Sequence, residues 1–430
     1  MCKRTAIFKD LSNPKKFKEQ LLTWANKHKT CIVLDSNSHE NQYSSFDFLV
    51  AVGVKSQLKL ENSKAAFKQL KQYYGNTNDT IFGYLSYDLK NNLEKLDSKN
   101  NDLLQFPELY FFQAKKIFKI TNNQLEINYL EMNSEKINPD LAAIKAVNIL
   151  EKSNTKINLT NRVSKENYIN TITQIKENIQ QGQYYELNYC QEFYSDDATI
   201  NPLAVYRKLN DISKAPFASY FKYQELHVLA SSPERFLKKI NNKIISQPIK
   251  GTSKRGETLQ QDLALKANLA QDSKERAENI MIVDLVRNDM AKIAKKGTVS
   301  VPELCQIYTF NQVHQMISTV EATVAKNTNP IDIISNLFPI GSMTGAPKLA
   351  AMQYIECYEN SKRGLYAGAI GYITAQGDFD FNVVIRSILY NAKTKKLSFS
   401  VGGAITALSN AETEYEECLI KADAMFKVLK

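Results

Sequence analysis

Apolar residues recur at helical spacing in several stretches and alternate at strand spacing in others. Between Lys165 and Gln181, Tyr168, Ile172, Ile175 and Ile179 share one face, which predicts an amphipathic helix. Ser164 stands where an N-cap hydroxyl is wanted, and Gly182 where a helix stops. A second helix is expected over Thr413–Leu429, with Tyr415, Cys418, Ala422, Met425 and Leu429 as its buried stripe. Helices are also read at Phe17–Lys27 and Leu349–Glu359, and as one long element over Gln260–Lys295. Cys31–Leu34, the aromatic-rich Gln183–Phe193 and Val313–Ala325 read as strands. Leu365–Ala375, Phe379–Tyr390 and Lys396–Ile405 form a predicted antiparallel meander whose first turn is Gln376-Gly377-Asp378. In its middle strand Phe379, Phe381, Val383 and Ile385 face one way, and Asp380, Asn382 and Arg386 the other. The Asn- and Lys-rich stretches Lys90–Asp102 and Glu131–Lys156 are expected as loops or frayed helices.

The chain has 430 residues, ample for a large core, and its 43% hydrophobic content is that of an ordinary soluble protein. Its net charge of +10 comes from lysines scattered in ones and twos. Without a basic run, a zinc-finger spacing or an aromatic RNA-binding motif, this reads as a solvated basic surface, and no nucleic-acid partner is expected. Such a field still draws in an anionic ligand. The six cysteines are dispersed, with no CxxC pair, as in reduced cytosolic proteins. The N-terminus lacks the apolar core of a signal peptide, and no apolar run approaches the roughly 18 residues that span a bilayer. A cytoplasmic protein without a membrane partner is expected.

Candidate chemistry centres on Ser231–Gly256. A hairpin turning at Asn241-Asn242, broken again at Ser246-Gln247-Pro248, brings Glu234 towards Lys250. An acid beside an amine serves acid/base or nucleophilic chemistry; the plain alternative is a surface ion pair beside a turn. Asp272, Glu275 and Glu278 fall on one helical face within two turns, either as a solvated stripe or as ligands. Glu414 and Glu417 lie one turn apart, where two carboxylates reach one hard cation or are simply favoured by a helix N-terminus. Gly341–Gly345 places small residues and hydroxyls before a helix, a setting that suits an anion, but Pro347 separates Ala346 from Lys348 and rules out a Walker loop.

SSPERF (Ser231–Phe236) followed by PIKGT (Pro248–Thr252) resembles the signature of the chorismate-utilising enzymes. These comprise anthranilate synthase component I, aminodeoxychorismate synthase component I, and the isochorismate and salicylate synthases. The likeness continues through ENIMIVDLVRND, FPIGSMTGAPK and Arg363-Gly364-x-Tyr366-x-Gly368, and into the N-terminal third through Leu34–Gly53 and Phe82–Leu89. It implies an α+β fold of large antiparallel sheets flanked by helices, with an N-terminal domain over 1–155 and a chorismate-binding catalytic domain over 156–430.

The resemblance also implies roles. Anthranilate synthases read PIAGT where this chain has Lys250, so the aminodeoxychorismate-forming branch is expected, on the route to 4-aminobenzoate and folate. There Lys250 attacks C2 of chorismate and Glu234 protonates the departing hydroxyl. The amine must be neutral to attack, so its pKa is expected to fall from about 10.4. Glu186 replaces the water-activating lysine of isochorismate synthases, which argues against that activity. Mg²⁺ is expected on Glu278 and Glu417, with Glu414 binding directly or through water. Arg386 grips one substrate carboxylate, and the backbone at Gly402-Gly403 the other; Thr252, His314, Gly341, Thr344, Tyr366 and Gly368 are the further substrate-contacting positions. Ammonia is expected from a glutamine amidotransferase subunit. Val33–Ser36 reads VLDS where relatives regulated by tryptophan carry an LLES-type motif, so no tryptophan regulation is expected. The rival readings are anthranilate synthase component I and a non-catalytic chorismate-binding subunit.

Overall fold

The computed structural model of the chain describes residues 3–39, 42–149, 156–310 and 313–430. They form a 20-stranded network flanked by helices, an α+β fold. Strand Thr30–Asp35 pairs antiparallel with Phe217–Tyr223, and Ile81–Leu85 with Ala369–Ile373. Strands from the first 155 residues are therefore continuous with those that follow. The boundary expected at Thr155 lies outside the described residues. No helix among the described residues is long and apolar enough to cross a membrane.

Two large apolar cores, and a small third cluster around Leu269 and Met316, lie against this network. One joins Phe82, Tyr110, Phe221 and Phe381; the other joins Tyr168, Tyr189, Phe193, Phe399 and Met425. The helix Lys165–Gln180 presents Tyr168, Ile172 and Ile175 to the second core. Ser164 Oγ accepts from Asn167 N at 3.2 Å, a cap that contributes about 1 kcal/mol. The helix Ala411–Leu429 buries Tyr415, Cys418, Ala422, Met425 and Leu429 in the same core, as its periodicity predicts.

Three elements differ from expectation. The long helix is two, Leu259–Gln271 and Ser273–Ala291. Asp272 leaves the helical region at ψ 114°, and its carboxylate accepts from Glu275 N at 3.0 Å. A short carboxylate that bonds its own backbone competes with helix continuation, which propensity summed over the window hides. The middle strand of the meander is interrupted: Phe379–Val383 and Ser387–Asn391 are separate, with Arg386 at φ 52° between them. There Val384 N donates to Gly368 O (2.8 Å) and Ile385 N to Val383 O (3.1 Å), so the ladder is left locally and Ile385 packs only partly buried at the edge of the core that holds Phe381. Finally, Ile137–Lys145 is a regular helix anchored by buried Ile137, Leu141 and Ile144, in a stretch expected as a loop or frayed helix.

Candidate active site

Two irregular ladders build the site. Arg235–Ile240 and Lys243–Gln247 form the expected hairpin, with Asn241 at φ 54° in its turn. Asp380 pins it, accepting from Arg235 Nε at 3.0 Å and Lys238 Nζ at 2.8 Å. Its pairing with Phe379–Val383 shifts between Arg235 and Leu237, next to Glu234. On the following strand, Ile249 pairs with Ile317 but Thr252 with Gln315, so one extra residue is accommodated between them. Gly251, at φ 89°, absorbs it. This bulge turns Lys250 into a cleft that Glu234 also lines.

Glu234 is buried, and Ser342 Oγ donates to its Oε1 at 2.5 Å. Burial outweighs that bond and the charge of Lys250, and raises the carboxyl to about 7. The carboxylate closest to Lys250 Nζ is that of Glu186, at 3.1 Å. Both Glu186 oxygens are buried without a hydrogen-bond partner, so the ammonium is their visible counter-charge. Burial lowers the Lys250 pKa, but Glu186, Glu278 and Glu234 more than reverse it, and the amine lies above its ordinary value. The direction is opposite to the expected one. Proximity in sequence exposed Glu234 as a neighbour of Lys250 but not Glu186 or Glu278.

Across the cleft, two helices contribute acids interleaved with lysines. Lys274 Nζ lies 3.0 Å from Glu414 and 3.8 Å from Glu278; Lys421 Nζ lies 2.6 Å from Glu417. Burial raises the Glu278 carboxyl to about 7 despite Lys250 and Lys274, whereas Lys421, Lys274 and Lys250 overcome burial at Glu417 and lower it. Gly403 leaves room for this cluster, since a side chain there would begin 3.2 Å from Glu414 Oε2. Among the described residues no three acid, histidine or cysteine side chains already converge on one point. The donors nevertheless fit Mg²⁺. They are hard carboxylate oxygens, Glu278 Oε1 is buried without a hydrogen bond, and the acids of the cleft outnumber its cations Lys250, Lys274, Arg386 and Lys421.

The cleft is lined by Glu234, Lys250, Thr252, Glu278, Tyr366 and Arg386, and also by Gly402, Gly403, Glu414 and Glu417. Burial lowers the Arg386 pKa, and its Nη1 donates to Lys421 O at 3.3 Å. Four other named positions lie behind the walls. His314 bridges Asp262 Oδ1 (Nε2, 2.9 Å) and Thr309 Oγ1 (Nδ1, 3.0 Å). Thr344 Oγ1 donates to Gly341 O at 3.0 Å, Gly341 packs on Leu285, and Gly368 packs against the Leu85 carbonyl. Sequence reasoning passed over Lys274, Lys421, Ser342 and Gln315, all of which line the cleft. The two lysines carried a signal, since each stands four residues from a named glutamate on the same helix. Val33–Ser36 lies elsewhere; Leu34, Asp35 and Ser36 border a separate small pocket with Phe217 and Arg235.

Comparison with known proteins places this geometry. An aminodeoxychorismate synthase of Oryza sativa subsp. japonica, described as probable and chloroplastic, is 40% identical over 62% of this chain and 30% of its own length. The chain thus spans about a third of such relatives. An anthranilate synthase component 1 of Saccharolobus solfataricus is 32% identical over 80% of this chain and 79% of its own. The crystal structure of anthranilate synthase component I from Streptococcus pneumoniae TIGR4 superposes with a TM-score of 0.79 at 23% identity, covering 90% of this chain and 95% of that one, which shows the fold. The family model of chorismate binding enzymes matches residues 20–427, and the chain belongs to that family.

Proposed function

We propose that the chain aminates chorismate to 4-amino-4-deoxychorismate, as the chorismate-binding component of an aminodeoxychorismate synthase. The observation that carries this is Lys250, which a bulge turns into the cleft beside Glu186 and across from the near-neutral Glu234. In this reading Lys250 first yields a proton, and Glu186 at 3.1 Å is the nearest acceptor. The amine then forms a bond to C2, the C4–O bond breaks, and Glu234 donates the proton that lets the hydroxyl depart as water. Ammonia bonds to C4, and the C2–Nζ bond breaks to restore the lysine. Arg386 and the backbone at Gly402-Gly403 orient the two carboxylates. Glu278 and Glu417, with Glu414, would hold Mg²⁺, which supplies charge to offset the dianion. A glutamine amidotransferase is the proposed source of ammonia, and the cytoplasm the proposed site of action.

The test is product analysis by mass spectrometry after incubation with chorismate, Mg²⁺ and an ammonium salt. Aminodeoxychorismate is expected. Anthranilate would support the second reading, which the matching length of the S. solfataricus relative favours. No product, even with an amidotransferase supplied, would mean a non-catalytic subunit.

Two further outcomes are expected. Glu234 must be protonated to act as an acid, so kcat/KM falls as pH rises through about 7. Lys250, held above its ordinary value, passes its proton to Glu186 within the site, so that transfer adds no limb of its own near neutral pH. Glu234→Gln should remove the alkaline limb along with most of the activity; a limb that persists would place the acid elsewhere. Chelation should stop turnover, and Glu278→Gln should weaken Mg²⁺ binding measured by calorimetry by roughly a hundredfold, the upper range for even an outer-shell loss at metal sites. Unchanged affinity in that variant would remove Glu278 from the metal set.

A further inference from the structure

The strand Val313–Thr323 meets an irregularity on each of its edges. On one side Lys250 and Gly251 stand opposite the single residue Met316, between the pairs Ile249–Ile317 and Thr252–Gln315. On the other side the ladder slips between Glu303 and Gln306, where Cys305 sits at φ 54°. A bulge leaves backbone groups that the ladder itself does not serve. Here one pair of side chains serves both.

The first is Asn279, 2% exposed, on the helix Ser273–Ala291. Its Nδ2 donates to Met316 O at 3.2 Å and to Lys250 O at 3.5 Å, one carbonyl from each strand of the bulge. The second, Ser318, determines which way the amide points. Ser318 Oγ accepts from Cys305 N at 2.8 Å, which leaves its own proton for Asn279 Oδ1. With Oδ1 so engaged, the amide hydrogens face the carbonyls. Ser318 N also donates to Pro248 O at 3.2 Å, two residues before Lys250.

We propose that Asn279 is a positioning residue for Lys250: its amide clamps the two strands of the bulge, and Ser318 aims the amide. The proposal rests on the amination reading above, in which Lys250 Nζ must meet C2. Backbone pairing fixes the ends of the bulge, but Lys250 stands in its middle, where a small rotation of the peptide carries the amine away from the ring. Neither Asn279 nor Ser318 lines the cleft, so the clamp places the amine without holding chorismate. The neighbouring Glu278 does line it, and the same turn of helix therefore ties the strand of the amine to the acid wall.

The test measures amination by the purified chain with chorismate, Mg²⁺ and saturating ammonium salt, beside calorimetric titration of chorismate, in Asn279→Leu, Ser318→Ala and the double variant. Asn279→Leu keeps nearly the same shape and removes the clamp. A fall of about a hundredfold in kcat is expected with chorismate affinity retained, since a displacement of about 1 Å in a reacting group costs that much. Ser318→Ala should lose roughly tenfold alone and nothing further beside Asn279→Leu, because it acts through that amide. Retained kcat in the folded variants overturns the clamp, and so does a matching loss of chorismate binding or additive losses in the double variant. If Asn279→Leu fails to fold, Ser318→Ala decides on the same split between kcat and affinity. Absence of amination by the unaltered chain sinks the functional reading, and the clamp with it.

Discussion

Lys250→Ala is expected to slow the turnover of chorismate by on the order of a thousandfold, while chorismate affinity changes only a few-fold. The amine has no substitute. The other lysines of the cleft, Lys274 and Lys421, are held by Glu414 and Glu417 on the helices across from it. The bulge at Gly251 is set by backbone pairing with Val313–Thr323, so removing the side chain leaves the strand in place. Glu186 loses its visible counter-charge in that variant. Lys250→Arg should not restore activity, because a guanidinium remains protonated and cannot attack. The measurement pairs product formation with calorimetric titration of chorismate. If the alanine variant kept more than about a tenth of wild-type turnover, covalent participation of Lys250 would be ruled out.

The second large effect concerns the wall behind the cleft. Arg363→Met is expected to lower unfolding stability by about 3–5 kcal/mol, read from denaturant or thermal melts. Arg363 is almost wholly buried. Its Nε donates to Glu359 Oε2 at 2.8 Å and its Nη2 to Oε1 at 2.6 Å; Nη1 reaches Met343 O at 2.6 Å and Nη2 also reaches Asn188 O at 2.8 Å. The guanidinium lies 4.6 Å from the Tyr87 ring centre. Removing it strands the Glu359 carboxylate, whose remaining bond is from Cys190 N at 3.0 Å, and frees two backbone carbonyls. Most of the loss comes from that uncompensated charge, so Arg363→Met with Glu359→Leu should be markedly more stable than Arg363→Met alone. A double variant no better than the single would shift the cost to the carbonyls. Met343 and Asn188 both line the cleft, so catalysis should weaken alongside stability.

What could be read from the chain divides along physical lines. Local chemistry was legible. The Ser164 cap, the Asn241 turn and the apolar stripe of Ala411–Leu429 follow from residues within a few positions of one another. The Pro248–Thr252 and Ser231–Phe236 motifs marked Lys250 and Glu234 for the same reason. Contacts made by sheet register were not. Glu186 meets Lys250 only after distant strands are laid side by side, and nothing in the intervening residues encodes that meeting. Motifs also blend packing with chemistry. In FPIGSMTGAPK, Ser342 bonds Glu234 while Gly341 and Thr344 hold the loop, and spacing alone could not separate the two. The breaks at Asp272 and Arg386 escaped notice because a single residue leaving its ladder barely disturbs the hydrophobic period.

The helix Ala411–Leu429 has a further consequence for how the site comes into being. It supplies Glu414, Glu417 and Lys421, and Lys421 joins two walls, donating to Gly402 O at 3.0 Å and accepting from Arg386 at 3.3 Å. Every other element that lines the cleft precedes it in the chain. During translation the hairpin, the bulge and the meander leave the ribosome first, and for that interval the nascent chain has an amine and an acid but neither the C-terminal carboxylates nor the lysine that locks them. A chain cut short before this helix is expected to lack that cluster, and with it a complete cleft.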